Sequence, residues 1–358
     1  MMKVTVIGAG NSGLAMAAHL TLYGNEVTLW NRTRTNIEEL IKHPFIHVTG
    51  IVEGEAEIAC VTDDLSEALI EPEIIFVTTP AFSHKALAEQ MAACLTTEPL
   101  IILNPGRTFG ALEFHHTFTK SNELLNPLIA ETQTILYTCR KTSPTSVEIY
   151  ALKNDVLIST IKGTDNLEVI AQMPTCLQDK FIPAASMIET SIGNVGMIMH
   201  CAPILLNTGW VEAADQEFYY YREGISPTIG LFIEKMDAER LAVAEMLGQP
   251  IESAKSWMER TYQITGDSLY DVIQNNQAYE TITAPASLFH RYVTEDIPTG
   301  LVPLEAVGKE IGVPMTNISI VIDLASALLD VDFRKEGRNL NEVIGKNKLS
   351  TRKISYNP

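Results

Sequence analysis

The chain has 358 residues, 46% of them hydrophobic and 20% charged, a balance that fits a globular protein with room for two separate cores. Its formal net charge of −18 argues against nucleic acid and against an anionic membrane as partners, so an acidic ligand would need locally placed Arg, Lys or His. The five cysteines (Cys60, Cys94, Cys139, Cys176 and Cys201) are scattered, with no metal-ligand spacing, no signal peptide precedes the first strand and no apolar run reaches membrane-spanning length. The expectation is a reduced, cytoplasmic protein without a metal.

Residues 4–7 read as a short buried strand, 8–13 as a tight turn and 14–22 as an apolar helix, with a second strand over 27–30. This is G-x-G-x-x-G in a strand–turn–helix setting. Gly8 permits the turn, Gly10 lets backbone approach a pyrophosphate, and Gly13 lets helix and strand pack closely. Asn11 and Ser12 lie at the helix start, where free N–H groups and the positive end of the dipole suit phosphate. The end of the second strand selects the dinucleotide. An NAD site carries Asp or Glu there. Here the chain reads Asn31-Arg32-Thr33-Arg34. A missing carboxylate and two guanidiniums favour NADP(H) over NAD(H). The alternative is that Arg32 and Arg34 are solvated surface charges.

Next come an amphipathic helix over 36–42, a hairpin through Gly50 and Gly54, and a short helix over 63–69 capped by Asp63 or Asp64. Residues 73–78 form a buried parallel strand whose following loop, with Thr79 and Pro80, borders the cofactor. Residues 100–103 repeat the pattern and end at Asn104. Segments 129–132 and 136–140 read as further strand ends on the same side, and 147–151 and 156–160 as the last strands of the sheet. The fold class is α/β plus all-α: a doubly wound Rossmann sheet, then a helical domain.

The texture changes near Pro183, which sets the boundary at about 185, with a nucleotide domain over 1–185 and a helical substrate domain over 186–358. A helix over 191–207 places Asn194, Met197 and Cys201 on one face and His200 and Asn207 on an overlapping one. His200 sits in an apolar run and by itself reads as either a core residue or a catalyst. Ser226-Pro227 opens a helix that Gly248 stops. Residues 219–222 read as packing at a domain junction, and 253–263 and 268–274 as two more helices. In 289–303, Asp296 is either a helix cap or a functional carboxylate. The apolar helix over 318–329 is core or a homodimer surface.

Seven segments carry a resemblance to a known family: VIGAGNSGLAMAAHL, LIILNPGRTFGALEF, LYTCR, NVGMIMHCAPILLNTG, EGISPTIGLFIEKMDAER, RYVTEDIPTGLVPL and DFRKEGR. Together they make the chain similar to the opine dehydrogenases, the octopine/nopaline group. The resemblance implies a Rossmann domain followed by an all-helical domain. It implies an acid/base pair, His200 with Asp296, and a keto-acid-binding Arg291. Glu131, Thr132, Cys139 and Asn194 are candidates, by position, for contact with the amino-acid substrate. The family's reaction joins the α-amine of an amino acid to an α-keto acid, usually pyruvate, and reduces the imine. NAD-using members carry Asp at the position of Asn31, so the departure here again favours NADP(H). Two other readings compete. A ketopantoate-reductase-like enzyme would use a lysine acid, and none occurs between Thr190 and Ile233. A non-catalytic NADPH-sensing protein would have no use for a His–Asp pair.

Overall fold

A computed structural model of the chain describes residues 1–213, 215–338 and 340. The last part of the expected helical domain, 341–358, lies outside the described residues. The chain divides into two compact units, residues 1–191 and the residues from Ile192 onward.

The first unit is built on β1 (Lys3–Ile7), β2 (Glu26–Trp30), β3 (Phe45–Gly50), β4 (Gly54–Glu57), β5 (Cys60–Thr62), β6 (Ile74–Val77), β7 (Leu100–Leu103), β8 (Ile129–Thr132), β9 (Tyr137–Ser143), β10 (Ser146–Leu152), β11 (Val156–Thr160) and β12 (Phe181–Pro183). Eight of these form one sheet in the order β12-β11-β8-β7-β6-β1-β2-β5. Strands β5, β2, β1, β6, β7 and β8 run parallel. Strands β6 and β7 are apolar at every position and fully buried, as a sheet covered on both faces requires. Ile7, Trp30, Val77 and Leu103 stand in register, so the loops that begin at Gly8, Asn31, Thr78 and Asn104 emerge along one edge.

Two expectations about this sheet are corrected. Strand β11 is antiparallel to β8 and extends the sheet beyond its parallel part. Strands β9 and β10 do not belong to it at all. They form a hairpin in a second, four-stranded sheet of order β4-β3-β10-β9. The alternation of β9, half-buried at every second residue, is the signature of a strand with one covered face. What covers it is α1 (Asn11–Leu22), which packs on β1 and β2 on one side and on β9, β10 and β4 on the other. This explains why α1 is apolar all round, with every residue from Gly13 to Leu20 buried. Its one polar side chain in that run, His19, bonds the Tyr137 hydroxyl at 3.0 Å, and burial with nearby Lys180 lowers its pKa to about 4.

The second unit is helical. Its main helices are α2 (Gly196–Leu206), α3 (Pro227–Met246), α4 (Ala254–Tyr262), α5 (Leu269–Asn275), α6 (Val302–Glu310) and α7 (Thr316–Leu329). The expected punctuation is present: the Ser226 hydroxyl accepts from Ile229 N–H with Pro227 at the first helical position, and Gly248 follows the helix at φ +80°. Ser268 and Asp271 form a capping box at the start of α5. The predicted helix over 191–207 is instead broken between Ile192 and Gly196, because the Asn194 side chain accepts from Gly196 N–H at 2.8 Å and restarts the helix there. Asn194 therefore shares no helical face with Met197 and Cys201. Tyr220 and Tyr221 are buried and meet edge to face at 5.0 Å.

Arg240 on α3 is fully buried and ties this unit together. Its guanidinium donates to Asp237 Oδ1 at 2.7 Å, to the Ile192 carbonyl at 2.9 Å and to the Glu252 carbonyl at 2.8 Å. Asp237 in turn accepts from Ala254 N–H at 2.7 Å, at the start of α4. Removing one partner leaves the other charge buried, so Arg240→Ala should lower unfolding stability by about 3–5 kcal/mol, read by urea denaturation. A loss well under about 1 kcal/mol, the level of an exposed pair, would show that the network is not a structural centre.

Candidate active site

The nucleotide end is set by the glycine turn. Gly8 has φ +107°, and a Cβ there would lie 2.9 Å from the Thr79 methyl carbon. A Cβ on Gly13 would lie 1.7 Å from the Gly8 carbonyl oxygen. Gly10 has nothing within 4 Å of its Cβ position, which leaves backbone open to a ligand. The turn is thus closed underneath and open above, the shape a pyrophosphate needs. Asn31 Oδ1 accepts from Ala9 N–H at 3.1 Å, and its amide donates to the Thr33 carbonyl at 2.9 Å. Asn31 therefore braces the glycine turn from the end of β2.

Beside it lies a cleft of about 240 Å³, lined by Asn31, Arg32 and Thr33 on one side and by Thr79, Pro80 and Phe82 on the other. Arg32 is exposed along it. Arg34 does not share that freedom, since its guanidinium pairs with Asp63 at 2.5 Å. A second recess over Gly8 and Gly10 includes Lys141 of β9, a residue that sequence reasoning missed. Only the registration of β9 along α1 brings it there.

Several residues expected to contact ligand are buried among hydrogen bonds within the unit. Asn104 is buried, donating to the Thr132 hydroxyl at 3.1 Å and accepting from Leu136 N–H at 3.3 Å. Thr132 is buried as well and donates to the Thr134 carbonyl at 2.9 Å. Glu131 has no exposure and accepts from the Thr190 hydroxyl at 2.9 Å, from Ala111 N–H at 2.8 Å and from the Ser191 hydroxyl. These three side chains anchor the loop after β7 instead of facing solvent. Cys139 lies against α1, where burial, opposed by a hydrogen bond with Ser12, pushes its thiol up to about 11. The thiol is partly buried there.

The helical unit brings together His200 and Asp296, the two residues expected to form an acid/base pair. His200 on α2 meets Asp296 Oδ2 through Nδ1 at 2.7 Å. The carboxylate is 1% exposed and the imidazole 21%, so the pair presents only the imidazole to the outside. Nδ1 is committed to this contact, and the second ring nitrogen, Nε2, takes no part in it. Asp296 caps no helix with its side chain. It precedes a π-helical turn, Ile297–Leu301, that runs into α6. Gly300 lets that turn approach α2, since a Cβ there would lie 2.9 Å from Met197 Cβ. Tyr292 stacks on the imidazole at 3.9 Å and 15°, and the Tyr220 hydroxyl donates to the His200 carbonyl. Neither tyrosine could be singled out from spacing alone. Arg291 is exposed and pairs with Glu295 at 3.0 Å, one residue from the tyrosine that covers His200.

The segment DFRKEGR supports the turn from below. Arg338 N–H donates to the Pro298 carbonyl at 2.8 Å, and a Cβ on Gly337 would lie 2.8 Å from the same oxygen. Arg334 grips Glu305 of α6 through Nε at 2.6 Å and Nη2 at 2.7 Å, with Lys309 at 2.7 Å and the Ser319 hydroxyl at 2.5 Å.

An opine dehydrogenase from Arthrobacter sp. (strain 1C) is 36% identical over 339 residues, covering 94% of each chain. The chain belongs to the opine dehydrogenase family. As a member it is an oxidoreductase of the CH–NH class. The family model for the NAD/NADP octopine/nopaline dehydrogenase α-helical domain matches residues 183–329, and a ketopantoate reductase model matches residues 4–113. A structure of octopine dehydrogenase with NADH and L-arginine superposes with a TM-score of 0.80 at 20% identity, covering 100% of this chain and 99% of that one. Yersinopine dehydrogenase with NADP+ bound superposes with a TM-score of 0.75 at 14% identity, covering 99% and 97%. At these identities the likeness is one of fold: a Rossmann-type unit followed by a helical one.

Glu305 offers a direct check on the support under the His200–Asp296 pair. Burial alone would raise its carboxyl, but hydrogen bonds from Arg334, Lys309 and Ser319 outweigh it and hold the group at about 2, below its ordinary 4.5. The interaction is therefore complete above pH 4.5 and is lost as pH falls toward 2. Glu305→Gln should flatten the fall in unfolding stability across that window, and a variant with the wild-type slope would rule this carboxylate out as a major acid-sensitive support.

Proposed function

We propose that the protein catalyses NADPH-dependent reductive condensation of an amino acid with an α-keto acid, pyruvate by family preference. The observation that carries the chemistry is the buried Asp296 behind a part-exposed His200. The open face of the glycine turn fits a dinucleotide, with Gly10, Asn11, Ser12 and Gly13 at its pyrophosphate. The NADP preference rests on Asn31 in place of a carboxylate and on Arg32 along the adjoining cleft. Arg34 would have to leave Asp63 to join it. Octopine dehydrogenase with NADH and yersinopine dehydrogenase with NADP+ leave both nucleotides possible for the fold, so the local charges decide.

When bound, the nicotinamide nucleotide supplies the hydride. The chain's own residues handle the protons. With Nδ1–H held by Asp296, His200 Nε2 takes a proton from the amino acid's ammonium, freeing the amine to add, and as the imidazolium passes it to the former carbonyl oxygen, which leaves as water. Asp296 holds the imidazole in the tautomer this requires and stabilises it once protonated. Burial of the carboxylate strengthens that pairing. Arg291 clamps the keto-acid carboxylate. Its planar fork has five donors, so it can keep Glu295 and still meet a substrate. The dyad also separates this reading from a nucleotide sensor, which needs no proton donor.

The identity of the substrates is tested by following NADPH oxidation with pyruvate against each of the twenty amino acids, repeated with NADH. Turnover should require both the keto acid and an amine, and activity with a keto acid alone would favour a ketopantoate-reductase-type reaction instead. His200→Ala should lower turnover roughly 10²–10⁴-fold with NADPH binding intact. Unchanged turnover in that variant would end the assignment of the dyad. Arg291→Lys should raise KM for the keto acid far more than KM for the amino acid, since lysine keeps the charge and loses the fork.

A further inference from the structure

We propose that Lys141 is the cation that holds the 2′-phosphate of NADP(H), an inference that rests on the NADPH reading above. It makes the four-stranded sheet part of the cofactor site, a role that the Rossmann pattern does not call for. Strand β9 runs along α1 with every second residue facing it. Tyr137 meets His19 at 3.0 Å, Cys139 meets Ser12, and the Lys141 backbone N–H donates to Asn11 Oδ1 at 2.9 Å. A period of two along the strand thus delivers the third inward residue, Lys141, to the phosphate end of the helix.

Its ammonium lies at 3.5 Å from both the Ala9 carbonyl, in the glycine turn, and the Asn36 carbonyl, in the turn after β2. It borders the same recess as Gly8, Gly10, Asn31 and Thr79. The side chain is half-buried, and among the described residues it has no ion-pair partner. Arg34 nearby does have one, Asp63. Burial depresses the lysine below its ordinary pKa, with Glu39 pulling the other way, as for an ammonium that has lost water without gaining a contact anion. In a chain of net charge −18, a nucleotide with several negative charges needs such local compensation.

The position also distinguishes between phosphates. The pyrophosphate is served by the free N–H groups at the start of α1. Lys141 reaches toward Asn36, the segment that follows β2, which is where the adenosine ribose and its 2′ substituent fall in this fold. Together with Arg32 it would bracket the 2′-phosphate from the opposite side of the turn.

The test measures NADPH and NADH binding to the full chain by quenching of protein fluorescence, for the wild type and for Lys141→Met, Lys141→Arg and Arg32→Met. Lys141→Met should weaken NADPH by about tenfold or more while NADH stays within about twofold, and Lys141→Arg should recover most of the loss. Retained NADH binding also shows that the variant is folded. Equal weakening of both nucleotides would make Lys141 a pyrophosphate contact or a loop support and overturn the proposal. So would NADPH binding that is unchanged in Lys141→Met but lost in Arg32→Met, which leaves the NADP reading standing. A wild-type protein that binds NADH as tightly as NADPH fails at the earlier step, before any variant is made, and takes this inference with it.

Discussion

A carboxylate at 1% exposure needs partners that meet it with hydrogen bonds, and one of those that Asp296 has is the His200 imidazole. Much of the helical unit serves this one contact. Gly300 removes the Cβ that would keep the π turn off α2. Arg338 and Gly337 meet the Pro298 carbonyl from the other side. Arg334 and Lys309 fasten α6, the helix into which the turn runs, through Glu305. Tyr292 covers one face of the imidazole, and Tyr220 fixes the backbone that carries it. The result is an imidazole with one nitrogen committed and one available, on side chains with little freedom to drift.

The Rossmann unit obeys a different constraint, that of close approach. Helix α1 can begin over β1 only because Gly13 has no side chain to strike the Gly8 carbonyl. Once there, the helix is covered by a sheet on each side, which is why it carries no polar face. The second sheet therefore completes the core around α1 and sets inward residues of β9 along the helix as far as its phosphate end.

Burial redistributed the roles of several residues that looked alike in sequence. Glu131, Thr132 and Asn104 lie at strand ends where ligands are expected, yet each is buried and committed to hydrogen bonds within the unit. Arg32 and Arg34 are two residues apart, and one is drawn off by Asp63 while the other stays on the cleft. Asn194, in place of lying on a helical face, sits in the break before the helix resumes and accepts from Gly196 N–H.

The sequence by itself determined the glycine turn, the parallel strands that follow it, the helix cap at Ser226, and, through family resemblance, the pairing of His200 with Asp296. Those features are legible because they depend on neighbours within a turn or two of chain, or on motifs long enough to be distinctive. Tertiary structure alone decided that β9 and β10 leave the main sheet, that Tyr292 and Tyr220 frame the imidazole, and that Lys141 comes to the nucleotide turn. Lys141 is 130 residues from Asn11, whose side chain it meets. No local periodicity encodes a contact of that span; it arises only when the covered face of a strand and an all-apolar helix must bury each other.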